Sequence, residues 1–260
     1  MFVRAGDLVV HVQADGPAEA PPLLLLHSLG TSLHVWDAQA AALAERFRVI
    51  RPDMRGHGLT SVTAGPYRLE GLAADALAVL DAMGVDRAHV AGLSIGGAIA
   101  QGLAALAPGR VRSLILCDTA MAFPPESVWR ERAATVRSHG MEPIVAPVLS
   151  RWVTEDFLAD PAAEGLRAML RRTDPEGYAG AAEALAVGDL RTGTTALRVP
   201  TLVIVAEHDI ATPPSVAREI TNAIPGAALT VLPGAAHIPT VQIPDAVTAA
   251  MHGFLAAQPV

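Results

Sequence analysis

Short apolar runs, several of them nearly continuous, alternate along this chain with longer Ala- and Leu-rich stretches of helical period. Few folds accommodate that alternation. A strand can be apolar at almost every position only if both faces of its sheet are covered, and helices between consecutive strands are what cover a parallel sheet. The runs Leu8–Val12, Leu23–His27, Arg48–Pro52, Ala88–Leu93, Ser113–Cys117, Thr201–Ala206 and Ala228–Leu232 predict strands. Helices are predicted over Trp36–Arg46, Leu69–Met83, Gly96–Ala107, Pro214–Ile224 and Pro244–Ala257. The alternation stops between Ala122 and Leu190, a helical stretch punctuated by prolines that offers no convincing strand. The organisation expected is an α/β core of residues 1–121 and 191–260, a mostly parallel sheet with helices on both faces. A helical lid of residues 122–190 interrupts it between late strands.

The segment Gly92-Leu93-Ser94-Ile95-Gly96-Gly97 directly follows one predicted strand and directly precedes a helix. G-x-S-x-G needs that context. The serine rides a strained strand-to-helix turn, and glycines two residues either side let the backbone close around it. The alternative, a plain Gly/Ser turn, leaves the strand and helix flanks unexplained. A serine hydroxyl becomes a nucleophile only when a base takes its proton and a carboxylate orients that base. With the serine on such an elbow, the acid and then the histidine follow on loops after late strands. Asp209, in Glu207-His208-Asp209, and His237, in Gly234-Ala235-Ala236-His237, lie just past the strands Thr201–Ala206 and Ala228–Leu232. Asp118 and Glu207 are rival acids, Asp118 because it too lies past a strand end; His208, His57 and His27 are rival bases. An oxyanion would be held by two backbone N–H groups, those of Ile95 and of Leu29 in His27-Ser28-Leu29-Gly30. The loop Asp53-Met54-Arg55-Gly56-His57-Gly58 is expected to shape the same edge of the sheet without touching substrate.

Composition removes other classes of function. All 19 basic residues are arginine, so Schiff-base, pyridoxal-phosphate and phosphate-loop chemistry, which need a lysine amine, are excluded. With 26 acidic residues the net charge is −7, unlike a protein that binds nucleic acid or an anionic membrane surface. Cys117 is alone, which excludes an internal disulfide and a thiolate metal cluster. No apolar run approaches the ~20 residues of a membrane span, and the N-terminal residues lack the layout of a signal peptide. The protein is therefore expected to be soluble and cytoplasmic. Nothing in the sequence sets its oligomeric state.

These motifs together resemble the α/β-hydrolase fold superfamily over essentially the whole chain. Within it, the chain is most similar to 3-oxoadipate enol-lactonases. The pointers are His27-Ser28-Leu29-Gly30-Thr31, the elbow, and pieces of the insertion: Ser127-Val128-Trp129, Gly140-Met141, Arg151-Trp152-Val153-Thr154, Thr173-Asp174-Pro175-Glu176-Gly177-Tyr178 and Asp189-Leu190-Arg191. Residues 238–244, after the candidate base, depart from the pattern by lacking the family's Asn and Glu. The resemblance implies a serine hydrolase that opens a carboxylate-bearing enol-lactone, a small-molecule substrate, through an acyl-enzyme, with neither metal nor organic cofactor. A general carboxylesterase, another lactonase, a cofactor-free haloperoxidase-like perhydrolase and a non-catalytic binder are the alternatives. A substrate carboxylate needs a specific cation, because the lid holds seven arginines against eleven acids. Arg132 and Arg151 are the candidates, with Trp152 as an apolar wall and Arg137, Arg171 and Arg172 in reserve.

Overall fold

In the computed structural model, which describes residues 1–258, the strands are Phe2–Ala5 (β1), Leu8–Asp15 (β2), Pro22–Leu26 (β3), Arg48–Pro52 (β4), Ala88–Leu93 (β5), Val111–Cys117 (β6), Thr201–Ala206 (β7) and Ala228–Leu232 (β8). They form one sheet in the order β1-β2-β4-β3-β5-β6-β7-β8. The pairings β1–β2 and β2–β4 are antiparallel and the other five are parallel. All six residues of β5 and all six of β7 are buried, which is why these segments read as unbroken apolar runs. β1 was not expected from the sequence. Phe2 and Arg4 on it are exposed, so it carries no apolar run, and it joins β2 through a turn at Gly6, whose φ is +63°.

The helices are Asp37–Leu43 (α1), Leu69–Ala82 (α2), Ile95–Leu106 (α3), Glu126–His139 (α4), Glu142–Trp152 (α5), Pro161–Arg172 (α6), Pro175–Val187 (α7), Arg191–Thr195 (α8), Pro214–Ala223 (α9), Pro239–Gln242 (α10) and Pro244–Ala256 (α11). α1 packs on α11, while α2, α3, α8 and α9 pack in series, so the sheet is covered by two helical groups. α4 to α7 lie between β6 and β7 in the chain. The insertion contains no strand among the described residues, and its neck closes where Ala122 bridges Asp189 and Leu190 N–H donates to Met121 O at 2.8 Å. α6 and α7 start where the sequence turns to Asp-Pro. Asp160 and Asp174 accept N–H bonds from Ala162, and from Glu176 and Gly177, while proline fills the first helical position.

α7 is docked on the core backbone to backbone. A Cβ on Gly177 would lie 2.1 Å from Gly56 O, and Tyr67 N–H donates to Gly180 O at 3.1 Å. Arg137 on α4 pairs with Glu176 and Glu183 of α7, and Glu176 also accepts the Gly65 N–H at 2.7 Å. The insertion therefore roofs the carboxyl ends of the parallel strands, where open α/β sheets bind ligands. Among the described residues no helix is long and apolar enough to cross a membrane.

Candidate active site

Ser94 sits between the last residue of β5 and the first of α3 with φ +57° and ψ −119°, a region a side-chain-bearing residue enters only at a cost of order 1–3 kcal/mol. The neighbouring glycines are obligatory on contact grounds. A Cβ on Gly92 would lie 2.1 Å from Gly96 O, and one on Gly96 would lie 2.2 Å from Leu26 O. Ser94 N–H is anchored on Cys117 O at 2.9 Å, and Thr119 donates its hydroxyl to Ser94 O at 2.6 Å. The turn is thus held open to the pocket from β6, and Ser94 keeps 7% of its surface accessible.

His237 comes to the serine from the loop after β8. Its Nε2 lies 2.9 Å from Ser94 Oγ and its Nδ1 lies 2.8 Å from Asp209 Oδ2. That geometry makes Nδ1 the donor to the carboxylate and leaves Nε2 as acceptor for the serine hydroxyl. Asp209 is buried, which by itself would raise its pKa. The His237 charge, the hydrogen bonds from His237 and the Thr212 hydroxyl, and the Thr212 N–H outweigh this and hold the carboxyl well below the usual range. Ala211 N–H adds a bond to Oδ1 at 2.7 Å, and Thr212 Oγ1 donates to Oδ2 at 2.6 Å. Thr212 was not singled out from the sequence, although Asp209-Ile210-Ala211-Thr212 has the spacing of a turn in which an Asp side chain collects the N–H groups that follow it.

Asp118, the rival acid, lies outside this hydrogen-bonded line. It is buried at φ +42°, accepting the Ala206 N–H on Oδ1 at 2.8 Å and the Cys117 thiol on Oδ2 at 3.2 Å. Burial and the neighbouring Asp209 charge push its carboxyl well above the usual range. Glu207 and His208 are exposed and lie 3.7 Å from each other. His27 and His57 are buried and bonded to backbone groups of the early loops. Leu29 and Ile95, the two candidate N–H donors, are buried beside Ser94, and among the described residues neither N–H meets a protein acceptor.

Above the serine lies a cavity of about 300 Å³ bounded by Ser28, Leu29, Ser94 and His237 below and by α4, α5 and α7 above. Arg132, Arg151 and Trp152 all line it, together with Trp129, Tyr178 and Ile210, which were not singled out as site residues from the sequence. Arg132 rests over the Trp129 ring at 4.9 Å, and its Nη1 is 3.4 Å from the Tyr178 hydroxyl. Among the described residues, neither Arg132 nor Arg151 pairs with a carboxylate. Arg137 and Arg171 are tied to Glu176 and Glu183 and to Glu142 respectively. Arg172 lines a separate groove with His11 and Thr31. Among the described residues no three His, Cys, Asp or Glu side chains gather as a metal ligand set.

Comparison with known proteins agrees with this architecture. Residues 21–166 match the alpha/beta hydrolase fold family. The chain is 34% identical over 255 residues to 3-oxoadipate enol-lactonase 2 of Acinetobacter baylyi, covering 97% of this chain and 95% of that one. The solved enol-lactonase of Burkholderia xenovorans LB400 superposes with a TM-score of 0.96 at 37% identity, over 98% of this chain and all of that one (100%). A thermophilic esterase from Thermogutta terrifontis, solved with malate bound, superposes with a TM-score of 0.93 at 30% identity, over 98% of this chain and 97% of that one. The protein belongs to the α/β-hydrolase fold family and, within it, is similar along nearly its whole length to 3-oxoadipate enol-lactonases.

Proposed function

We propose that this hydrolase opens a carboxylate-bearing enol-lactone, 3-oxoadipate enol-lactone, to 3-oxoadipate through an acyl-enzyme on Ser94. The observation that carries the reading is the hydrogen-bonded line Asp209–His237–Ser94 ending in a cavity that also holds two arginines without acid partners. In this account residues 1–121 and 191–260 are the catalytic core and 122–190 the lid. Ser94 Oγ attacks the lactone carbonyl carbon as its proton passes to His237 Nε2. The Leu29 and Ile95 N–H groups hold the oxyanion. Collapse of the tetrahedral intermediate breaks the ring C–O bond and releases an enolate, whose oxygen takes the proton from His237 to give the enol. The enol then becomes the ketone by gaining a proton at carbon and losing its O–H proton to water. Water then gives its proton to His237, attacks the ester carbonyl and frees the second carboxylate and Ser94. Asp209 stays ionised throughout and stabilises the imidazolium.

The carboxylate already on the substrate would meet Arg132 or Arg151, both of which line the cavity, with Trp152 as apolar wall. Similarity to enol-lactonases supports the substrate class. Likeness to an esterase that binds malate supports, as a second reading, an esterase for small anionic esters. Kinetics of Arg132→Gln and Arg151→Gln on the enol-lactone and on neutral p-nitrophenyl acetate test the assignment. A charge-assisted hydrogen bond in a closed pocket is worth roughly 1.5–3 kcal/mol, so loss of the reader should lower kcat/KM for the anion by about 10- to 150-fold. The neutral ester should change little. If the wild type shows no preference for the anionic lactone, or if neither variant alters it, the enol-lactonase reading is wrong and a general esterase remains.

A further inference from the structure

The loop Asp53-Met54-Arg55-Gly56-His57-Gly58 runs beside His27-Ser28-Leu29-Gly30, and the two are stitched together by buried imidazoles acting on backbone N–H groups. His57 Nε2 accepts the Gly30 N–H at 3.0 Å, and His27 Nε2 accepts the Met54 N–H at 2.8 Å. Each ring's other nitrogen faces a carbonyl: His57 Nδ1 lies 3.1 Å from Arg55 O and His27 Nδ1 lies 2.8 Å from Ser28 O. Nδ1 must therefore carry the proton and Nε2 the lone pair in both rings, whose centroids are 5.5 Å apart. Asp53 closes the seam by accepting the Leu33 N–H at 2.9 Å and the Leu59 N–H at 3.0 Å.

Leu29, which lines the cavity and whose N–H meets no protein acceptor among the described residues, lies between the two points at which the imidazoles grip its loop, Ser28 O and Gly30 N–H. We infer that His57 is a positioning residue for the oxyanion site, setting the direction of the Leu29 N–H by accepting the hydrogen bond of Gly30. The inference rests on the hydrolase reading above. Burial, helped by the neighbouring His27, lowers the His57 pKa to about 3. A protonated ring would turn its acceptor into a second donor aimed at Gly30. The ring is thus an acceptor throughout the pH range in which an esterase is assayed. An oxyanion donor is worth about 10²–10³ in kcat, and a misplacement near 1 Å costs up to about 10². A donor swung off its direction should therefore forfeit a sizeable part of the rate.

The test compares His57→Phe, which fills the ring volume without an acceptor, with His57→Gln, whose Oε1 can accept from Gly30. His57→Phe should lower kcat on p-nitrophenyl acetate about 10- to 100-fold with KM changed less than about 3-fold. Its affinity for a boronic acid that forms a tetrahedral adduct should weaken in parallel. His57→Gln should recover kcat to within about 5-fold of wild type. A folded His57→Phe protein with kcat within 2-fold of wild type would overturn the inference, as would a kcat loss without loss of boronate affinity, or a loss equal in both variants. If the variants do not fold, ¹⁵N NMR of the wild type decides. Nε2 of His57 should titrate at neither end of pH 5–9 and show the unprotonated signature, and a protonated Nε2 contradicts it. Ser94→Ala run alongside separates the two layers, because turnover by that variant defeats the hydrolase reading itself. An inert Ser94→Ala with an unimpaired His57→Phe defeats only this inference.

Discussion

Two buried aspartates, one following β6 and one following β7, have carboxyls displaced in opposite directions from their usual range for physical reasons. Asp209 collects an imidazole, a hydroxyl and two N–H groups, which hold its carboxyl low, while Asp118 is buried with one N–H and a thiol beside that charge, which pushes its carboxyl up. Their asparagine variants should therefore diverge. Asp209→Asn should lose on the order of 10⁴ in kcat, because the amide favours the wrong imidazole tautomer. Asp118→Asn should keep most activity, since its amide oxygen can still accept from Ala206 and it lies outside the Asp209–His237–Ser94 line. The linkage sign follows from the raised folded-state pKa. Asp118 binds its proton more tightly folded than unfolded, so its contribution is fully present below the unfolded value near ~3.9 and is lost as pH rises toward the folded value. That loss has a limiting slope of about 1.4 kcal/mol per pH unit. Urea melts from pH 5 to pH 8 should show Asp118→Asn gaining stability over wild type as pH rises. A constant or shrinking difference would mean that Asp118 is ionised in the native protein.

At the scale of elements, the insertion roofs the parallel strands and meets the core partly through close backbone contacts of α7. α7 reaches the core where Gly177 meets Gly56, and a methyl group there has no room. Gly177→Ala must push α7 away from the loop after β4, and with it Tyr178 and the α4 face that carries Trp129 and Arg132. Overpacking of this kind costs about 1–3 kcal/mol, or roughly 2–12 °C of melting temperature for a chain of this size. KM for the anionic lactone should rise more than KM for a neutral ester. An unchanged melting temperature would show that α7 yields without strain. The same contact marks where sequence reasoning runs out. Asp174-Pro175-Glu176-Gly177 is legible as a helix start, but that Gly177 is a docking point depends on which loop the helix meets.

Across the whole molecule, the parts legible in the sequence are those fixed by local chemistry. The buried strands β5 and β7, the elbow, and the chain order of Ser94, Asp209 and His237 follow from apolar continuity, glycine spacing and loop position. β1 was not legible because its side chains are exposed, and Thr212, Trp129 and Tyr178 were not assigned because their importance arises from partners far along the chain. Asp118 illustrates the other limit, since only packing reveals that a carboxyl at a strand end is pushed well above its usual range. The three elements that meet at Ser94 come from β5, β7 and β8, joined through a line of two hydrogen bonds of 2.8 and 2.9 Å. The claim that this line does the chemistry is tested most directly by turnover of the enol-lactone by Ser94→Ala, with folding verified by circular dichroism. The account predicts loss of wild-type turnover down to the ~10³–10⁴ over water that binding and the oxyanion donors alone supply. A folded Ser94→Ala protein that opens the lactone at the wild-type rate would contradict it.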